Sequence, residues 1–188
     1  MEAFWISFGL IFVAELGDKS QLMAMTFAAR YRAWTILAAI TAATAVVHLL
    51  SVALGSIVGA ALPTDAISVL AGVAFLGFAA WTIRGDELDD EDEARSGRGG
   101  RSVFLTVGLA FFLAELGDKT MLATVTLATD NGWFGTWLGS TFGMVAADAL
   151  AIVVGQQLGA RLPERTVKIG AAITFVVVGV WLILDGVS

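Results

Sequence analysis

Residues Ala14-Glu15-Leu16-Gly17-Asp18-Lys19-Ser20 return one hundred positions later as Ala114-Glu115-Leu116-Gly117-Asp118-Lys119-Thr120, and each copy lies in the middle of a long apolar run. Two carboxylates and an ammonium are costly to hold at the centre of a hydrophobic span, so such a cluster marks a functional site by default. Two clusters, one in each half of a repeated chain, point to a single site built from both halves.

The register between the halves is constant. Between Phe12 and Ala28, ten of seventeen positions match their partners, and the correspondence continues through Thr41 and Thr141, Gly55 and Gly155, Gly59 and Gly159, Leu62-Pro63 and Leu162-Pro163, and Trp81 and Trp181. A match of this length without a gap indicates duplication. Six apolar stretches are long enough, or nearly so, to cross about 30 Å of hydrocarbon as helices. They lie near Phe4–Ala28, Trp34–Ala61, Ala66–Ile83, Val103–Ala128, Trp133–Leu158 and Val167–Leu184. With 57% hydrophobic residues and a mean hydropathy of +0.83, an ordinary soluble domain is excluded. The expected fold is an all-α polytopic membrane protein. Each half has three spans, an odd number, so the second half enters the membrane from the opposite face. The chain therefore reads as six transmembrane helices in two inverted three-helix repeats, residues 1–84 and 102–188, joined by a charged linker loop at 85–101. Inverted repeats are the architecture of many secondary transporters, because exchanging the conformations of two similar units opens a central site to one side and then to the other.

Orientation follows from the cations. With six spans, Arg30, Arg32, Arg84, Arg95, Arg98, Arg101, Arg161, Arg165 and Lys168 all fall on one side, and the only other basic residues are Lys19 and Lys119 in the motifs. The positive-inside rule places that side in the cytoplasm and both termini outside. All six tryptophans (Trp5, Trp34, Trp81, Trp133, Trp137 and Trp181) fall near span ends, as an interfacial aromatic belt would. The linker has seven acids followed by three arginines among glycines, the pattern of a solvated hinge. It matches no calcium-loop signature. No cleavable signal is evident, since the first apolar run begins at Phe4 without a basic n-region and carries Glu15 inside it. The net charge of -6 mostly reflects the acidic loop, and no basic, aromatic-interleaved patch suggests a nucleic-acid partner.

The chain has no cysteine and one histidine, His48, so thiolate sites and multi-imidazole sites are excluded. On a helix Glu15, Asp18 and Lys19 share one face, as do Glu115, Asp118 and Lys119. Gly17 and Gly117 allow either a close helix approach or a local break that exposes backbone carbonyls, and the sequence does not choose between them. Ionised, Glu15, Asp18, Glu115 and Asp118 carry four negative charges, and Lys19 and Lys119 return two. One divalent cation would neutralise the remainder. Without it, like charges crowd a low-dielectric site, and protons compete with the metal for the same oxygens. That competition is the minimal chemistry of a cation/proton antiporter. Carboxylates, the hydroxyls of Ser20 and Thr120, the Gln21 amide and backbone carbonyls are hard donors suited to Mn²⁺ or Ca²⁺, and less to Mg²⁺, which sheds water reluctantly. His48 and Asp148 occupy equivalent positions on the second and fifth spans, where either relays protons, adds a ligand or serves a structural hydrogen bond. Thr26 and Thr126 read as packing or pathway residues. The plain alternative, Glu–Lys pairs that staple helices, explains one copy better than two.

Two copies of E-x-G-D-K-[ST], on the first and fourth of six spans and separated by a charged loop, resemble the Gdt-type cation/proton exchanger family, which includes Golgi manganese/calcium transporters and bacterial manganese exporters. The resemblance covers essentially the whole chain. It implies exchange of Mn²⁺ and/or Ca²⁺ for protons, with Glu15, Asp18, Glu115 and Asp118 forming the metal site and Lys19, Lys119, Ser20 and Thr120 completing the motifs. It further implies a compact prokaryotic member in the plasma (inner) membrane, exporting Mn²⁺, with the metal as cargo and no resident cofactor. A homo-oligomer is left open. A second reading is an exporter of another cationic solute, such as a basic amino acid, held by the same acids. An enzyme is not expected. Leu16-Gly17-Asp18 approaches the G-x-G-D element of intramembrane aspartyl proteases, but Glu15 stands where that element has glycine, and the only tyrosine, Tyr31, is at a span end.

Overall fold

A computed structural model describes residues 1–61, 63–84, 103–158 and 164–187. These residues form eight helices and no strand. In chain order they are α1 (Glu2–Glu15), α2 (Lys19–Ala28), α3 (Ala33–Ala61), α4 (Thr64–Arg84), α5 (Val103–Glu115), α6 (Lys119–Asp130), α7 (Trp133–Leu158) and α8 (Glu164–Val187). The six expected apolar stretches are all helical, with one correction. The first and fourth are each two helices, α1 with α2 and α5 with α6, broken at the motifs. Taken singly, Ala33–Ala61 and Trp133–Gly155 are long and apolar enough to cross a bilayer. The linker, with Arg95, Arg98 and Arg101, and the segment 159–163, with Gly159, Arg161, Leu162 and Pro163, lie outside the described residues, as does Leu62.

Helices of one half pack on helices of the other. The largest contacts join α4 to α8, α1 to α7, and α3 to α5, α6 and α7. Residues at equivalent repeat positions meet face to face. The Thr44 hydroxyl donates to the Met144 sulfur at 3.4 Å, and the rings of Phe75 and Phe175 lie 5.8 Å apart.

The bundle has two distinguishable ends. One carries both chain termini, the close of α3, the start of α4 and the α6–α7 turn. There the helices touch through glycines. A Cβ at Gly143 would lie 2.6 Å from the Phe8 carbonyl oxygen, and Gly139 meets the Phe4 carbonyl more closely still. Gly55 and Gly59 meet the carbonyls of Val125 and Thr129 in the same way. Small residues let backbones approach like this where side chains would hold them apart. The opposite end carries Arg30 and Arg32 between α2 and α3, Arg84 closing α4 and Arg165 opening α8. It is packed by side chains: Phe27, Ile36, Ile40, Val107, Phe111 and Ile152 are all buried in one cluster. A Cβ added at Gly108 there would lie an ordinary 3.7 Å from the Ala39 carbonyl oxygen. A cavity of about 520 Å³ opens at this end, lined by Ala29, Arg30, Tyr31, Arg32, Thr35 and Val103.

Large apolar side chains face outward while charged ones are buried. Leu54, Ile57, Leu70, Val73, Leu105, Leu109, Ile173 and Val177 are exposed, whereas Glu15, Asp18, Glu115, Asp118, Lys119 and Asp148 are buried. An apolar exterior of this extent is what a lipid-facing bundle requires. Trp5, Trp34, Trp133 and Trp181 are exposed on the outer surface. The Trp137 indole N–H donates to the Ala45 carbonyl at 2.9 Å and ties α7 to α3.

Candidate functional site

The motif is a helix break, not a helix face. Glu15 is the last residue of α1. Leu16 then adopts φ -61°, ψ 121°, Gly17 adopts φ 77°, and the Asp18 N–H donates to the Glu15 carbonyl at 3.1 Å. This is a type II turn, whose third position needs the positive φ that glycine accepts without strain. The second copy repeats it, with Gly117 at φ 81° and Asp118 N–H donating to the Glu115 carbonyl at 3.2 Å. Asp18 and Asp118 become the N-caps of α2 and α6, where the exposed amides and the helix dipole favour an anion. The expectation that Glu15, Asp18 and Lys19 share one helical face is therefore overturned. Of the two roles open to the glycines, Gly17 and Gly117 serve the local break.

Both breaks arrive at one place, and their charges cross. The Lys119 ammonium donates to Asp18 Oδ1 at 2.6 Å, and Lys19 Nζ lies 3.9 Å from Asp118 Oδ1. Each lysine is thus paired with the aspartate of the other half. The two pairs are unequal. The Lys119 side chain is 4% exposed, and that of Lys19 is 21% exposed. Each glutamate takes a hydroxyl from its own half. Ser20 donates to Glu15 Oε1 and lies 3.5 Å from Asp18 Oδ2, and Thr120 donates to Glu115 Oε2 at 3.0 Å. Glu15 also lies within electrostatic reach of Glu115, Asp18, Asp148 and Lys119.

Gln21 joins the first break to the second half. Its carbonyl accepts the Gly17 N–H at 2.8 Å, and its amide donates to the Ala147 carbonyl on α7 at 3.0 Å. Its repeat partner Met121 accepts the Gly117 N–H on sulfur at 3.1 Å and has no N–H to offer α3. Asp148, next to Ala147, lies within electrostatic reach of Asp18. His48 is fully buried, and neither ring nitrogen has a hydrogen-bond partner among the described residues. Thr26 and Thr126 bond the carbonyls of Leu22 and Leu122 in their own helices. Sequence reasoning missed Thr44, which is fully buried where the halves meet. Its partner is a methionine, so repeat identity gave no signal. Among the described residues no three acidic or imidazole side chains lie close enough to hold one metal ion in this arrangement, in which Lys119 holds Asp18.

A family model described as "Divalent cation/proton antiporter GDT1" matches residues 3–90 and 103–188. A protein of Vibrio cholerae named "Putative manganese exporter" is 34% identical over 171 residues, covering 89% of this chain and 84% of its own length. GDT1-like protein 3 of Arabidopsis thaliana is 30% identical, covering 93% of this chain and 68% of its own. GDT1-like protein sll0615 of Synechocystis is 31% identical, covering 93% of both. No solved structure matches the chain.

Proposed function

The chain belongs to the GDT1 family of divalent cation/proton antiporters, and from that premise we propose that it exchanges Mn²⁺ and/or Ca²⁺ for protons at the crossed acidic site, exporting Mn²⁺ from the cytoplasm of a prokaryote. The reading has six spans in two inverted repeats, residues 1–84 and 102–188, with the arginine-bearing end in the cytoplasm and both termini outside. The cation is cargo, and Glu15, Asp18, Glu115 and Asp118 are its ligands, with Ser20 and Thr120 holding the glutamates.

One observation carries this reading: the reciprocal pairing of Lys119 with Asp18 and Lys19 with Asp118. A site built by two like units related through an axis in the membrane plane has this crossed form. Helix breaks at the site favour it too, since discontinuous helices bring dipole ends and backbone carbonyls to ions inside membranes. The meeting of Thr44 with Met144 and of Phe75 with Phe175 is what such an axis requires. A cation entering the site must take Asp18 from Lys119. The breaks give α1, α2, α5 and α6 the freedom to bring the carboxylates together around it.

The test is a metal panel on purified protein in liposomes. Vesicles made acid inside should take up Mn²⁺ or Ca²⁺ as protons leave, and a protonophore should stop the uptake. Glu15→Gln or Asp118→Asn should abolish transport while leaving folded protein in the membrane. Flux indifferent to the pH gradient would mean a uniporter or channel, and counterflow of arginine or lysine instead of metal would favour an amino-acid exporter.

A further inference from the structure

Asp148 sits midway along α7, fully buried, with neither carboxylate oxygen bonded to a donor among the described residues. An ionised carboxylate held away from water without a partner costs several kcal/mol, so its surroundings bear on its use. Its electrostatic neighbours are Asp18, Glu15 and Glu115. The Gln21 bridge fixes it there: Gln21 grips the turn at Gly17 and the α7 carbonyl at Ala147, one residue before Asp148.

Besides Asp118 Oδ1, which faces Lys19, four buried carboxylate oxygens of these residues have no hydrogen-bond donor among the described residues: Glu15 Oε2, Glu115 Oε1 and both oxygens of Asp148. They come from α1, α5 and α7, and they are hard donors of the kind a divalent cation collects. The other half supplies no equivalent, since His48 occupies the matching position on α3, and Met121 cannot make the bridge that Gln21 makes. We propose that Asp148 is a fifth carboxylate of the cation site, contributed by α7 without a counterpart on α3. This rests on the exchanger reading above and adds to it a direction: the cradle is lopsided, with more anionic oxygen on the α7 side than on the α3 side. With Asp148 ionised, five carboxylates less two ammoniums leave a formal charge of minus three, where the doubled motif alone leaves minus two. The added charge favours divalent over monovalent cations, because ligand charge count sets cation affinity.

The test compares Asp148→Asn, Asp148→Glu, His48→Asn and wild type in liposomes, with Mn²⁺ and Ca²⁺ concentration series at one fixed pH, alongside Mn²⁺ binding to the purified protein followed by electron paramagnetic resonance. Asp148→Asn keeps the shape and removes the charge. It should raise KM and weaken direct Mn²⁺ binding by at least about tenfold, with a much smaller change in kcat. Asp148→Glu should bring KM back to within about threefold of wild type, and His48→Asn should leave it there. Should Asp148→Asn not accumulate folded, Asp148→Glu carries the test through the ratio of Mn²⁺ to Ca²⁺ affinity. A moved oxygen should shift that ratio, and an unchanged ratio overturns the assignment. Wild-type binding and KM in Asp148→Asn, beside a dead Glu15→Gln, overturn the role of Asp148 alone. Wild-type protein that neither binds nor moves a divalent cation overturns the exchanger reading and this one with it.

Discussion

The inequality of the crossed ion pairs makes a quantitative claim. At an effective dielectric of about 20, the attraction between unit charges is about 6 kcal/mol at the 2.6 Å of Lys119–Asp18 and about 4 kcal/mol at the 3.9 Å of Lys19–Asp118. The Lys19 side chain is the more exposed of the two, and only the shorter pair is a charge-assisted hydrogen bond. Removing one partner of a buried pair costs about 3–5 kcal/mol, because the other charge is left uncompensated. Lys119→Met should therefore destabilise the protein by about 3–5 kcal/mol, and Lys19→Met by about 2 kcal/mol less. Adding Asp18→Asn to Lys119→Met removes the orphaned charge and should recover at least about half of the loss. Reversible unfolding of the purified protein in mixed micelles, followed by tryptophan fluorescence, measures all four species. Equal losses from the two lysine variants, or no recovery in the double variant, would refute the assignment of a tight pair and a loose one.

Gly117 sits at φ 81° with nothing within 4 Å of an added Cβ, so Gly117→Ala probes backbone strain alone. It should lower the unfolding free energy by about 1–2 kcal/mol, Gly117→Asn should cost less, and transport should fall in the same order. Gly143→Ala would place a Cβ 2.6 Å from the Phe8 carbonyl oxygen and should cost about 1–3 kcal/mol by forcing α1 and α7 apart. Gly77→Ala in α4, with open space around it, should be neutral or slightly stabilising, and thermal unfolding curves of the two variants side by side check the contrast.

The helix ends were legible because apolarity, not local propensity, sets them: each expected stretch falls within a few residues of α1–α2, α3, α4, α5–α6, α7 or α8. The break at the motif was not legible. Leu16 and Gly17 are compatible with a helix or a turn, and the three-residue spacing of Glu15 and Asp18 imitates a helical face. Only the sign of φ at Gly17 separates the two. The pairing of lysines was hidden for another reason. Lys19 is adjacent to Asp18 in sequence, whereas the partner it meets is Asp118 in the other half. His48 and Asp148 stood out as polar residues in equivalent places, but nothing in their spacing showed that Asp148 joins the acids. The matched glycines were visible as repeats, yet the sequence treated Gly55 and Gly155 alike. In the structure Gly55 meets backbone, and Gly155 meets the Met25 side chain.

The two ends of the bundle consequently keep different time. Where Gly55, Gly59, Gly139 and Gly143 lay main chain against main chain, nothing can yield by changing rotamer, and separation requires whole helices to slide, a motion of microseconds to milliseconds. Around Phe27, Ile40 and Phe111 the obstruction is made of side chains, whose rearrangement is intrinsically faster. A route to the buried acids past those rings would therefore need only side chains to turn, whereas one at the glycine-packed end would need whole helices to part.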